Sequence, residues 1–440
     1  MEKRGVPAVL LMTTPFTALA RNQSRVFGLP NLQAAIMPHP LGGLPVPNVI
    51  AKIDAVYEEL IAKLTSPLPA PLVEEVKVRS EWVDLDISDE WGALQQEFMA
   101  RGWSDGMLAA PPTEARVSAM VQASGYPGSH VVAVMAPKMG VATIECIAAN
   151  AVMAGAKPQH MPLIIAAVQG MVEEQFNLYG IQGTTHCVAP LMLVSGPLAE
   201  TLGIHSGSGL FGPGPWSNGV VGRAIRLILL NIGGAKPVEM DKATMGHPGK
   251  YTYCIAENEA ALPATWPSLR AERGFAPEVS TVTMIGAEAP HNINDHDSTN
   301  AGGLLTMIGH TITETGQNNV NHAGEPLVLL GPEHAGTIAK DGYSKDDVRR
   351  AFYEDARIPL SHFSAEQIER RLRRYLPKRF KDRPLDTGVP LAQRWEDFMI
   401  VVAGGTGKHS MYVPTFGGTR SVTRAVLKPD GSPWLPGDFK

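Results

Sequence analysis

The stretches "PLMLVSGPLAETL" (190–202) and "PLVLLGPEHAGTI" (326–338) decide how this chain is read. Each opens on proline, runs through consecutive apolar residues, meets a Gly-Pro pair and continues with helix-forming residues. A short unbroken apolar run bounded by turn residues reads as a buried strand. Gly-Pro then ends the strand, because proline lacks a ladder donor and fits the first turn of a helix. The two stretches share Pro-Leu-x-Leu, Gly-Pro, Ala, Thr and an aliphatic residue in the same order, with one residue of slippage. Each follows a helix-like segment, and each of those follows a strand. This pattern predicts one α/β unit present twice. A site is then expected in the crevice between the halves, outside the carboxyl ends of the strands.

Working outward, strands are expected over 129–135 and 190–194, and helices over 141–154, 162–174 and 218–232. A second series comprises strand 280–285, helix 302–315, strand 326–330, helices between 345 and 376, and strand 398–403. Such alternation predicts an α/β fold with a mainly parallel or mixed sheet. The domain expectations are a small partial α/β unit at 1–66, a proline- and charge-rich linker at 67–92, and two α/β halves at 93–270 and 271–440. Within 1–66 the first four residues read as a helix end, Gly5 as its stop, 6–12 as a strand and 49–64 as an amphipathic helix.

Composition removes several function classes. The chain has 440 residues, 44% of them hydrophobic and 18% charged, enough for a large core. Its formal net charge of -5 provides no basic field for nucleic acid. No apolar run reaches the roughly 18 residues that span a bilayer. Cys146, Cys187 and Cys254 lie far apart without CxxC spacing, which excludes a thiolate zinc knuckle and fits a reducing cytoplasm.

Candidate chemistry falls in five places. The stretch 205–259 contains GxGxxG at Gly207, Gly209 and Gly212, but Pro213 and Pro215 forbid the helix that a dinucleotide fingerprint opens at its third glycine. What remains is a glycine loop feeding a helix capped by Ser217 or Asn218, with Arg223 in its first two turns. A cation is disfavoured there unless an anion offsets it, so Asn218 and Arg223 are candidates for binding an anionic group, the alternative being a surface salt bridge. Beyond it, Asp241, Lys242, His247, Lys250, Tyr251, Glu257 and Glu259 crowd titratable groups around a turn and a short strand. Glu145 is the only charge on an apolar helix face, so it is either paired or a proton-transfer group. In "GTTHCVAP" (183–190), His186 and Cys187 are neighbours on an extended segment and point apart, so each would need a remote partner. "APHNINDHDSTNAGG" (289–303) offers His291, Asp295, His296 and Asp297, but its spacing fits no known metal loop and reads as turns and caps, so no metal ligand is assigned. Finally "VVAGGTGKHSMYVP" (401–414) lacks Walker spacing, since Val402 stands where the first glycine belongs and His409 follows Lys408. A glycine loop directly after a strand still places Gly404, Gly405, Lys408, His409 and Ser410 where open sheets bind ligands.

With these stretches laid out, the chain resembles the UGSC family. "EKRGVPAVLLMTTPF" and "MPHPLGG" look like the second half of that family's small α/β domain. "NAVMAGAKPQHMPLIIAA", "GVVGRAIRLILLNIGGA", "MGHPGKYTYCIAENE", "GPEHAGTIAKDGYSKDDVRRAFYEDARIP" and "VVAGGTGKHS" look like the larger domain that often accompanies it. The family is named for selenocysteine or cysteine followed by Gly-Ser-Cys, upstream of the strand at 6–12, and this sequence contains no Cys-Gly-Ser-Cys. The expectation is a reading frame opened at an internal Met, or a fragment whose reactive pair is supplied elsewhere. No catalytic cysteine carries over from the resemblance.

Together these readings favour an enzyme of small-molecule metabolism, an oxidoreductase or a lyase, using thiol-linked redox or addition/elimination chemistry on an anionic substrate. Lys408 and His409 from one half would meet Glu145, His186, Lys250 or Glu257 from the other. Asn218, Arg223, Gly404, Gly405 and Ser410 would hold the anion. The alternative is a non-catalytic binding or carrier subunit. The sequence identifies no cofactor, expects a small anionic molecule as partner and neither nucleic acid nor membrane, and is compatible with a homo-oligomer.

Overall fold

A computed structural model describes residues 1–4, 6–66, 82–83, 91–374 and 376–439, so most of the expected linker at 67–92 lies outside the described residues. The small N-terminal unit pairs β1 (Leu10–Thr13) in parallel with β2 (Ala34–Met37) through the helix Thr17–Val26. The helix Val46–Thr65 packs on it through Val56 against the buried Ala35 and Met37. Further strands are the hairpin β3 (Val131–Met135) and β4 (Gly140–Thr143), then β5 (Ala189–Ser195), β6 (Cys254–Ala256), β7 (Thr281–Ala287), β8 (His291–Asn294) and β9 (Leu327–Leu330). A short antiparallel pair, β10 (Arg357–Pro359) and β11 (Gly388–Pro390), precedes β12 (Met399–Val402), β13 (His409–Val413) and β14 (Val422–Ala425).

Two four-stranded sheets carry the large part of the molecule, in the orders β14-β7-β5-β6 and β12-β9-β13-β8. Both are mixed. β5 runs parallel to β6 and antiparallel to β7, and β9 runs parallel to β12 and antiparallel to β13. The registers agree under one correspondence. Val194 faces Ala256 as Leu330 faces Val402, Met192 faces Met284 as Val328 faces Tyr412, and Met284 faces Val422 as Tyr412 faces His291. The repeat legible in 190–202 and 326–338 is therefore matched by two sheets of the same design.

The fourth strands are exchanged. β8 follows β7 along the chain but pairs with β13, while β14 follows β13 but pairs with β7. The two crossing segments meet at a bridge between Ala287 and Thr415, which are counterparts under the same correspondence. The Glu288 N–H donates to the Pro414 carbonyl at 2.8 Å and the Phe416 N–H to the Gly286 carbonyl at 2.9 Å, so a local two-fold axis passes through the bridge.

Strand alternation explains the layers. Met192 and Val194 point to a core shared with the helices Ile144–Ala154, Met161–Met171 and Trp216–Asn231. Val328 and Leu330 point to a second core under the helices Ala301–Ile312, Pro332–Lys340 and Lys345–Asp355. The opposite faces, Leu191, Leu193 and Ile255 from one sheet and Leu327, Leu329 and Val401 from the other, share a third core. The order is helices, sheet, sheet, helices. Strands covered on both faces need continuous apolar runs, which is why β5 and β9 are unbroken in sequence.

Several expectations move. Residues 141–143 belong to β4, where Val141 and Ala142 face Val134 and Ala133, and the helix begins only at Ile144, capped by the Thr143 hydroxyl accepting from Cys146 N–H at 3.2 Å. The strand expected at 6–12 is Leu10–Thr13, and the helix expected from 218 begins at Trp216 after Pro215, so neither Ser217 nor Asn218 is its cap. Residues 291–294, read as turn, form β8. Among the described residues no helix is long and apolar enough to cross a membrane.

Candidate functional site

At the carboxyl end of β9, Gly331 and Pro332 turn the chain into the helix Pro332–Lys340, placing Glu333 and His334 in its first turn. Beside it β12 ends at Val402, and the chain loops through Ala403–Lys408 before returning as β13. Gly404 and Gly407 adopt φ of 95° and 126°, which side-chain-bearing residues avoid. The loop Ser208–Gly212 forms the third wall. Together they enclose a cavity of about 300 Å³, floored by Leu329 and Met411.

Close backbone approach explains the glycines. A Cβ on Gly405 would lie 1.7 Å from the Ser208 hydroxyl, and one on Gly331 would lie 2.1 Å from the His409 carbonyl. Both halves hold the loop. The Gly404 N–H donates to the Ser206 carbonyl at 2.8 Å, the Asn258 N–H to the Val402 carbonyl at 2.8 Å, and the Gly407 N–H to the Glu333 carboxylate at 2.8 Å.

Two pairs of polar side chains reach the cavity through one member each, Ser410 and His409. His334 is buried, with Nε2 3.0 Å from the Asp295 carbonyl and Nδ1 2.8 Å from the Ser410 hydroxyl. A carbonyl only accepts, so Nε2 carries the proton and Nδ1 is free to accept from Ser410. The same hydroxyl accepts from the Gly331 N–H at 3.1 Å. Burial, with the nearby His409 and Lys408, holds His334 below the ordinary histidine range despite Asp295, leaving a neutral imidazole against a hydroxyl, the arrangement of a base and its nucleophile. Burial would raise the Asp295 carboxyl, but the N–H groups of Ser298 and Asp297 and the Ser298 side chain hold it below its usual value. The second pair is His296 and His409. Their Nε2 atoms are 3.2 Å apart with the rings nearly perpendicular, His409 Nδ1 lies 3.1 Å from Asn292 Oδ1, and Lys408 Nζ donates to the His296 carbonyl at 2.8 Å.

Of the candidates from the sequence, Gly404, Gly405, His409 and Ser410 line this cavity, and Lys408 flanks it. The others lie elsewhere. Asn218 pins the loop entry, accepting from His205 N–H at 2.7 Å and donating to its carbonyl at 3.0 Å. Arg223 forms a bidentate pair with Asp105 at 2.8 and 2.9 Å and also donates to the Leu108 and Met107 carbonyls. Lys250 pairs with Asp241 at 2.7 Å. Glu145 occupies the first turn of Ile144–Ala154, where a carboxylate complements the helix dipole. Glu257 is buried and accepts from Ser195 Oγ and Leu269 N–H, both at 2.9 Å, with Lys345 at 3.7 Å. Burial pushes its carboxyl up to about 7 against these partners.

His186 belongs to a separate cluster. Its Nε2 is 2.9 Å from Glu288 Oε1, its ring stacks on Phe416, and Cys187 is beside them. Burial and then Glu288 push the Cys187 thiol up. A larger open cavity of about 830 Å³ lies near Glu173, His322 and Arg420, but its guanidinium is engaged by Asp397 at 2.6 Å and no hydroxyl–imidazole pair faces it among the described residues.

The sequence marks the glycine loop with Gly209 and Gly212 and names His296, but it pairs neither His334 with Ser410 nor His296 with His409. A histidine directly after Gly-Pro-Glu at a strand-to-helix turn is the available signal for His334.

Residues 1–66 match the UGSC family. No curated protein matches the chain.

Proposed function

From a chain whose first 66 residues match the UGSC family, we propose an enzyme of small-molecule metabolism that acts on a small anionic molecule in the crevice at the carboxyl ends of β9 and β12. The observation that carries this reading is a glycine-walled cavity lined by Ser410 and His409, the first bonded to the buried His334 and the second to His296, with Lys408 next in the chain. Lys408, beside the cavity, supplies positive charge for an anionic group. The Ser410–His334 and His409–His296 pairs move protons. Addition or elimination fits these groups better than thiol-linked redox chemistry, since none of Cys146, Cys187 and Cys254 lines the cavity.

A thermal-shift screen of small carboxylates and phosphates tests the reading. A ligand at 100 times its Kd stabilises the fold by about 2.7 kcal/mol. Such a shift is expected for wild type, retained by Arg223→Ala on its lower baseline, and lost in Lys408→Ala. Equal shifts in wild type and Lys408→Ala would contradict an anion site here.

A further inference from the structure

We propose that His186, Cys187 and Glu288 form a binding site for one divalent transition-metal ion of the zinc type. The site lies away from the crevice: His186 and Cys187 immediately precede β5, and Glu288 immediately follows β7. One imidazole nitrogen, the Cys187 sulfur and one carboxylate oxygen all lie within 4.8 Å of one another. Tetrahedral donors with bonds of about 2.0–2.3 Å lie roughly 3.5 Å apart, so these donors are near enough to close on a single ion with a side-chain shift of about an ångström. A mixed nitrogen, sulfur and oxygen set selects a borderline ion such as Zn²⁺ over Mg²⁺ or Ca²⁺, which take oxygen alone. Three protein ligands also leave a fourth position open, the composition of a reactive rather than a closed structural centre.

The surroundings hold the donors in place. Glu288 is fixed through its backbone, with its N–H on the Pro414 carbonyl at 2.8 Å and its carbonyl accepting from the Tyr253 hydroxyl at 2.7 Å. Its carboxylate Oε1 also accepts from the Asn318 N–H at 3.1 Å. The His186 ring lies against Phe416 at a centroid distance of 5.2 Å, nearly parallel. With Nε2 on Glu288, His186 Nδ1 is buried without a hydrogen-bond partner among the described residues. Such supporting contacts are what orient metal ligands.

The internal repeat sets the stoichiometry. Counting back from the matched strands, His186 corresponds to His322, but Cys187 corresponds to Ala323 and Glu288 to Phe416. Only the histidine is shared. The second half cannot complete the set, so one ion per chain is expected.

Titration of the full chain with Co²⁺ tests this. Wild type should take up one equivalent and develop a thiolate-to-cobalt absorption in the near ultraviolet. Cys187→Ser should lose that band and bind at least on the order of 100-fold more weakly, while Cys146→Ser and Cys254→Ser should keep both. A second measurement needs no variant: in wild type, Zn²⁺ should slow alkylation of Cys187 and leave Cys146 unchanged. No binding by wild type, a band that survives Cys187→Ser, or equal Cys187 alkylation with and without Zn²⁺ would overturn the proposal.

Discussion

Single side chains separate the residues that hold the fold from those that face the crevice. Arg223 is the clearest case. Burial alone would raise the Asp105 carboxyl, but the Arg223 hydrogen bonds and charge overturn this and hold it below the usual carboxylate range. Arg223→Ala leaves that carboxylate buried, 3% exposed, without its cation. The expected loss is about 3–5 kcal/mol of unfolding free energy in denaturant titrations, with ligand-induced stabilisation intact. Glu257 carries a pH signature. Its folded-state pKa is raised from 4.5 to about 7, so the native state holds the proton more tightly than the unfolded chain. The stability it contributes is complete below about pH 4.5 and is lost as pH rises to about 7. Urea unfolding across that window should show wild type losing stability relative to Glu257→Gln. Parallel pH profiles for the two proteins would contradict the assignment.

At the scale of the element, the crevice depends on two backbones touching. The Gly405→Ala methyl would occupy the space of the Ser208 side chain, with Ser208 Cα 2.8 Å away, so the 208–212 loop must move. Ligand binding should fall at least tenfold by calorimetry, and the melting temperature should fall as well, because Leu210 of that loop is buried in the third core and Phe211 packs against it. β5 and β9 were legible because burial on both faces demands unbroken apolar runs ended by Gly-Pro. β4 was not, since "GVAT" merges into the helix "IECIAANAVMA" and only its pairing with β3 separates them. β8, "HNIN", is mostly exposed at a sheet edge and has the composition of a turn. The loop 404–410 was legible as glycines following a strand. The partner of Ser410 was not, because His334 arrives from another strand end and only the pairing of β9 with β13 brings them together.

Across the whole molecule, the exchanged strands and the shared core make the two sheets interdependent. Leu193 and Leu329 lie on facing sheets in one cluster, both almost fully buried. Leu193→Ala should cost about 2–5 kcal/mol. The loss should appear equally to probes in either sheet, because neither sheet is complete without a strand that follows the other's third. Two separated transitions in calorimetry, with only one shifted by Leu193→Ala, would contradict this coupling.

That the crevice at the ends of β9 and β12 is the working site can be read from nitrogen-15 spectra of histidine-labelled protein with a stabilising anionic ligand. The imidazole signals of His296, His334 and His409 should shift together on binding while those of His310 and His362 stay fixed. Shifts confined to His186 and His322, with the three crevice histidines unchanged, would place the ligand elsewhere and contradict it.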